Sequence, residues 1–403
     1  MKIKIKAVKN GVLDTQYGNG NYENNSVSFP IKWEKVKNAK SYAITLVDKE
    51  ATKAFGVPFI HWIIADLKKN KLDWDFSFRE KDNILQFENS MTHFAKNHIL
   101  DRVHKNALPG VFIGPFPIES DHNYELRVLA LNVESILPKN FNKTSKPLFF
   151  DDFQNLIHNK VIDQGIYTFL YRTKFKVENG QIVPNNKSVE QLNAPLDKNQ
   201  EFFYKNNIFE KINVRSSGIY QENGINYLNQ EYVGKLENNF FVAKSMPLEF
   251  TSIKQAKSYV VALLGNAEVK TFATPTVFWV KTDIEPTLQE TIIINSKEIN
   301  EQFYSNNKKF HFINTFGSHF APKIANMFNM SNEVFRFISN DYGLIKLPNI
   351  SEPTGVYTLT VYALDQKIQF NERQDFDVIT LGDVLNKMKN HVIAEGNLLF
   401  KIK

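Results

Sequence analysis

Asp48 and Glu50 stand two positions apart just after the apolar run "AITLV"; His61 sits between Ile60 and Trp62 in "PFIHWIIADL"; His122 opens "HNYELRVLAL". A carboxylate beside an imidazole favours its protonated form. Two such rings at a pocket mouth can donate charge-assisted hydrogen bonds to an anion while the carboxylates hold their orientation. Together the four residues would cradle a phosphate or carboxylate group. Singly each has a plainer reading: Asp48 as a turn former, His61 as a core histidine bonded to backbone, His122 as a loop residue.

A second stretch of the chain separates these readings. Phe29 to Leu67 aligns without gaps on Met246 to Ile284, with 12 of 39 positions identical, among them Ser41/Ser258, Tyr42/Tyr259, Pro58/Pro275 and Trp62/Trp279. "NYELRVLALN" (Asn123 to Asn132) answers "VYTLTVYALD" (Val356 to Asp365), and "NKVIDQGIYTFLYR" (Asn159 to Arg172) answers "NHVIAEGNLLFKIK" (Asn390 to Lys403). Three collinear matches of this kind point to two copies of one domain. In the second copy Asp48, Glu50, His61 and His122 are answered by Gly265, Ala267, Phe278 and Gly355, while the apolar positions around them are kept. A scaffold that does without the four side chains does not need them to fold, which favours a site in the first copy.

The elements that must position this site read as strands. "SYAITLV", "FIHWIIADL", "YELRVLAL" and "GIYTFLYR" are short, rich in β-branched and aromatic residues and partly alternating. Before the last strand of each copy, "FDDFQNLIHNKVI" and "LGDVLNKMKNHVI" carry apolar residues at helical spacing. The expectation is a mainly β chain with a few peripheral helices, divided into a first domain over residues 1–172, a polar linker over 173–204 containing Pro184 and Pro195, and a second domain over 205–403 that lacks the pocket residues.

Composition removes several classes of function. With no cysteine there are no disulfides, thiolate metal sites or cysteine nucleophiles. The net charge of +6 is carried by scattered lysines, not by the clustered basic and aromatic residues of a nucleic-acid groove, so no specific nucleic-acid partner is expected. The apolar runs fall short of the roughly 20 residues of a membrane helix. The start "MKIKIKAVKNGVLD" alternates like a strand and lacks a secretory apolar stretch, which leads to the expectation of a cytoplasmic protein. His93, His98 and His104 in "MTHFAKNHILDRVH" would not share one helix face; a solvated helical insertion is expected there, with no metal. Hydrolase, zincin and P-loop signatures are absent, no cofactor is expected, and the chain reads as a binding protein, not an enzyme.

At the four site residues the sequence resembles the phosphatidylethanolamine-binding protein (PEBP) family, which includes the bacterial Raf-kinase-inhibitor-like proteins. Three motifs carry the resemblance: Asp48-Lys49-Glu50-Ala51-Thr52, which keeps both carboxylates of the family's Asp-Pro-Asp-Ala-Pro signature but neither proline; the pair His61-Trp62; and the turn Gly114-Pro115-Phe116-Pro117 leading to His122 and Tyr124, with Asn123 where a basic residue is usual. The resemblance spans nearly all of residues 1–172 and implies a Greek-key β-sandwich, so that the chain would be two tandem PEBP-like sandwiches. It also implies an anion pocket lined by Asp48, Glu50, His61, Trp62, Pro115, Pro117, His122 and Tyr124, taking phosphate, a phosphorylated head group or a nucleotide, with peripheral membrane contact as one route to such a ligand. Missing prolines loosen the first loop, because proline fixes φ. Since bacterial relatives often form homodimers, a tandem chain is expected to stand as a monomeric pseudo-dimer. Two other roles remain open: regulatory inhibition of a protein partner such as a kinase or protease, through insertions at about 80–110 and 285–350, and acid-base catalysis by the same pocket.

Overall fold

The runs "SYAITLVD" and "FIHWIIADL" are almost wholly apolar because the sheet they enter is covered on both faces; a half-exposed strand would alternate more cleanly. In the computed structural model, which describes all residues except 20–25, 100–109, 140, 142–146, 197–209, 238–239, 300–310, 319–320, 328–341, 348–349, 353 and 371–377, these segments are β1 (Ser41–Asp48) and β2 (Phe59–Leu67). They are joined by β3 (His122–Leu131) and β4 (Val161–Tyr171). The chain is mainly β. It divides into two units: unit 1 comprises Met1–Ala54, Pro58–Phe202 and Val269–Thr274, and unit 2 comprises Phe55–Val57, Phe203–Glu268 and Pro275–Lys403.

Unit 1 is built on a seven-stranded sheet in the order Val8–Lys9, Val12–Leu13, β4, β3, β1, β2, Leu85–Gln86. Its pairings are antiparallel except that of β4 with Val12–Leu13. One face packs on Ile3, Ile31, Trp33 and Leu72, which belong to a three-stranded sheet formed by Ile3–Lys4, Ile31–Trp33 and Lys71–Leu72. The other face is covered by α1 (Phe150–Ile157), whose Phe153 reaches a core of Ile60, Ile63, Phe87 and Leu129 that also receives Val269. Each such fully buried side chain contributes ~1.5–3 kcal/mol relative to exposure. α1 starts where Asp152 Oδ2 accepts the Phe149 N–H at 3.0 Å, satisfying one of the orphan donors of a helix start.

The described part of the expected linker, residues 173–196, contains regular elements. Phe175–Glu178 and Gln181–Pro184 form a hairpin, and α2 (Val189–Asn193) follows behind a Ser188 capping box. This segment is anchored in unit 1. Thr15 N donates to Asn193 Oδ1 at 2.8 Å, Leu196 N to Asn10 O at 3.2 Å, and Asn185 N to Lys174 O at 2.9 Å. Side-chain caps and backbone hydrogen bonds satisfy the polar groups of this segment. The expected helical insertion also differs. Residues 91–99 are turns in which His98 Nε2 bonds Ser90 O at 2.9 Å and His93 lies 4.1 Å from the Phe94 ring; His104 lies outside the described residues.

In unit 2 a five-stranded sheet runs in the order Glu210–Lys211, β8 (Val392–Phe400), β7 (Tyr357–Leu364), β5 (Ser258–Gly265), β6 (Thr276–Ile284). α3 (Leu381–Met388) precedes β8 as α1 precedes β4, and Asp383 Oδ2 accepts the Thr380 N–H at 3.0 Å. Details recur at matched positions. Tyr42 OH accepts from Val36 N at 3.0 Å, and Tyr259 OH from Ile253 N at 2.6 Å. Ser41 Oγ donates to Val133 O at 2.6 Å, and Ser258 Oγ to Gln366 O at 2.7 Å. Tyr124 stacks on Phe169 at 5.6 Å and 12°, and Tyr357 on Phe400 at 5.7 Å and 12°.

Candidate functional site

His61 owes its direction to a β-bulge. Between β1 and β2 the register steps from Leu46↔Trp62 to Val47↔Ile60, so His61 is the extra residue, and a bulge re-aims the side chain it carries. The ring turns onto Tyr124, 5.1 Å away, while Nδ1 meets Ile113 O at 2.8 Å. Asp48 ends β1, where its Oδ1 accepts from Ala51 N at 2.9 Å and closes the following turn. His122 begins β3, and because alternate residues of a strand share a face it points the same way as Tyr124.

The four residues expected to meet around an open hollow are instead buried, Asp48, Glu50, His61 and His122 being 3%, 4%, 4% and 1% exposed. Three of them converge. His122 Nδ1 bonds Asp48 Oδ2 at 2.8 Å, and His61 shares the Tyr124 ring with them. Glu50 departs from the expectation: it accepts from Asn123 Nδ2 at 3.1 Å, and Asn123 faces away from His122 across β3. The place usual for a basic residue is thus filled by an amide that holds Glu50. Sequence reading missed Glu119, whose Oε1 takes the second nitrogen of His122, Nε2, at 2.5 Å. Its one signal was its place three residues before His122.

The electrostatics differ between the rings. Burial alone would lower the His122 pKa, but the charge and hydrogen bond of Asp48, with Glu119 behind them, push it up to about 10. His61 goes the other way: burial lowers it to about 4 against the opposing charge of Asp48. Two imidazoliums were expected; the structure supports one, because only His122 has carboxylates bonded to it. Burial would raise Asp48, yet the His122 charge and hydrogen bond hold it below its ordinary value. The Tyr124 hydroxyl is buried beside Asp48, and burial, then the Asp48 charge and side-chain hydrogen bond, raises its pKa well above the usual range.

Trp62, Pro115 and Pro117 are each tied to residues outside the His122–Asp48 pair. Trp62 is a core residue, donating from Nε1 to Gln86 Oε1 at 2.8 Å and standing edge-on to Phe112. Both prolines are buried and fix the loop by their carbonyls, Pro115 O accepting from Asn19 N at 2.9 Å and Pro117 O from Thr173 Oγ1 at 2.7 Å. Gly114 must lack a side chain, since a Cβ there would lie 2.4 Å from Tyr17 O.

Unit 2 repeats the bulge, with Phe278 as its extra residue between Leu263↔Trp279 and Leu264↔Val277. Here apolar rings close the space. A Cβ on Gly265 would lie 2.5 Å from the Phe278 ring, and one on Gly355 2.3 Å from Ala267. One carboxyl was not anticipated. Glu268, fully buried one position after Ala267, accepts from Ser351 Oγ at 2.7 Å and from Tyr357 OH at 3.4 Å, without an imidazole among those partners.

Comparison with known proteins agrees with the motifs. The profile described as phosphatidylethanolamine-binding protein matches residues 4–172. An uncharacterised Bacillus subtilis (strain 168) protein, YxkA, is 31% identical over 119 residues, which are 28% of this chain and 67% of that protein. Among solved structures, Escherichia coli YbcL, titled a new member of the mammalian PEBP family, is 18% identical with TM-score 0.34 over 43% of this chain and 98% of its own. A PEBP homolog from Chlamydia trachomatis is 16% identical with TM-score 0.31 over 42% of this chain and 96% of its own. With the motif residues Asp48, His61 and His122 in place on these strands and Gly114 on the loop before the last of them, the chain belongs, over residues 4–172, to the phosphatidylethanolamine-binding protein family.

Proposed function

We propose that the chain is a binding protein for a small oxyanion, a phosphate-bearing group or carboxylate, held in unit 1 by His122. One observation carries this reading: the His122 imidazolium already binds a carboxylate, Glu119, through Nε2 while Asp48 fixes Nδ1. Glu119 sits on the loop before β3 with its side chain 15% exposed, so its carboxylate stands where a ligand oxyanion would be received. Binding exchanges one oxyanion for another, and Asp48 keeps the ring charged throughout. His61, neutral and bonded to Ile113 O, shapes the wall beside Tyr124.

Among the described residues the site offers no positioned nucleophile, and a histidine with both nitrogens bonded to carboxylates is a poor proton shuttle, so binding is preferred to catalysis. The test is a titration of the full chain with phosphate and with phosphoethanolamine, followed by the His61 and His122 ring resonances. Perturbation of His122, enhanced in Glu119→Gln, is expected; silence of both rings in both proteins defeats the proposal.

We further infer that unit 2 is a second copy of the unit 1 domain in which the site has been closed. The matched tyrosine, serine and ring-stacking contacts support this, as does the bulge repeated at Phe278.

A further inference from the structure

The polar segment after β4 walls a cavity of about 280 Å³ in unit 1, lined by Asp121, Leu170, Arg172, Lys187, Gln191 and Leu196. It is separate from the His122 site. Tyr171 pairs with His122, and Phe169 and Tyr171 share the core face of β4, so Leu170 between them faces the other side of the sheet, where it lines the cavity with Arg172. We propose that this cavity is a second binding site, for a small organic oxyanion, a carboxylate or phosphate monoester, that carries a short aliphatic part.

Charge and shape both argue for this ligand. Arg172, with its side chain 13% exposed, stands 3.8 Å from Asp121 Oδ2 and donates from Nη1 to Gln191 O at 2.9 Å. That is one hydrogen bond from a guanidinium with five N–H donors, whose planar fork matches a carboxylate or phosphate. The exposed Lys187 has no partner for its ammonium among the described residues. Two cations against Asp121 leave the lining with one net positive charge. Gln191 Oε1 is taken by Ser188 N at 2.8 Å, which turns the rest of its amide into a donor. Leu170 and Leu196 supply an apolar wall that bare phosphate would not use but a short alkyl chain would bury.

The cavity is also preformed. Asp121 is steadied by Thr173 N on Oδ1 at 3.0 Å, α2 is capped at Ser188 and tied to Thr15 through Asn193, and Leu196 is pinned to Asn10. Its walls therefore lose little freedom on binding, which leaves more of each contact's free energy as affinity.

The experiment is an amide-resonance titration of the full chain with butyrate, n-butyl phosphate and inorganic phosphate. Saturable shifts are expected at 170–173 and 187–196 with one of the butyl ligands, inorganic phosphate binding more weakly, and which butyl ligand binds tighter identifies the head group. Lys187→Ala should weaken binding about tenfold, the worth of one charge-assisted hydrogen bond, and Lys187→Arg should restore it. No saturable shift at these amides, or equal affinity in Lys187→Ala, overturns the proposal. Shifts confined to the His61 and His122 rings overturn it too while leaving the His122 reading intact, and shifts confined to 170–196 do the reverse.

Discussion

His122 and His61 show how two identical side chains about a tyrosine come to differ in charge, one cationic and one neutral. His122 is folded with its pKa raised to about 10, so the stability it contributes is complete below its unfolded value of 6.5 and is lost as pH climbs through about 10. Replacing it by Asn leaves Asp48 buried with no charged partner, and His122→Asn should cost about 3–5 kcal/mol in urea unfolding at pH 7. His61 is depressed to about 4, so its contribution is complete above 6.5 and is lost as pH falls toward 4. His61→Phe, which copies Phe278 of unit 2, should keep the fold and flatten that acid limb of the stability curve. Asp48, His61 and His122 were legible because chemistry of this kind needs those residue types. Glu119 was not, since a lone glutamate in "GPFPIESDH" looks like a solvated loop residue, and only the fold brings it 2.5 Å from Nε2.

Elements decide which side chains can meet. Without the bulge, strict alternation would send His61 and Trp62 to opposite faces; the extra residue lets His61 reach Tyr124 while Trp62 stays in the core. Glu50 is the converse case: its partner Asn123 neighbours His122 in sequence, and the period of two carries that pair to opposite faces. Helix starts are set by local chemistry and are easier to read. Thr380 accepts from Asp383 N while Asp383 accepts from Thr380 N, so Thr380→Ala should cost ~1 kcal/mol, read as a lower urea midpoint for the fluorescence change of unit 2. The hairpin at 175–184 and α2 were hidden by polar composition, which resembles a tether whenever the bonds that anchor it lie far away in sequence, as Asn193 and Thr15 do.

At the scale of the molecule, unit 1 draws on a segment from the later half of the sequence, Val269–Thr274. Within unit 1, Val269 enters the core beside Phe153, and Lys270 Nζ lies 3.0 Å from Asp151 Oδ2 and 2.9 Å from Asp152 Oδ1. Burial, then the Asp152 charge, pushes Asp151 up to about 6 against the pull of Lys270. Lys270→Met should therefore destabilise unit 1 by about 3–5 kcal/mol at pH 8 and by less at pH 5, where Asp151 can take a proton, a contrast readable by urea unfolding at the two pH values. A fragment of residues 1–202 lacks this segment and should unfold at lower urea than unit 1 does in the full chain.

Residue type and order alone determined that the chain is mainly β and that its first part carries the motifs of one family, because apolar periodicity and side-chain chemistry are local properties of the sequence. Tertiary structure alone decided that His122 is charged and His61 neutral, that Glu119 occupies the outer nitrogen, that Glu50 belongs to Asn123, and that a polar stretch closes a cationic cavity. Those outcomes depend on burial and on distances between residues far apart in the chain, and a Coulomb or hydrogen-bond energy has no value until the distance is known.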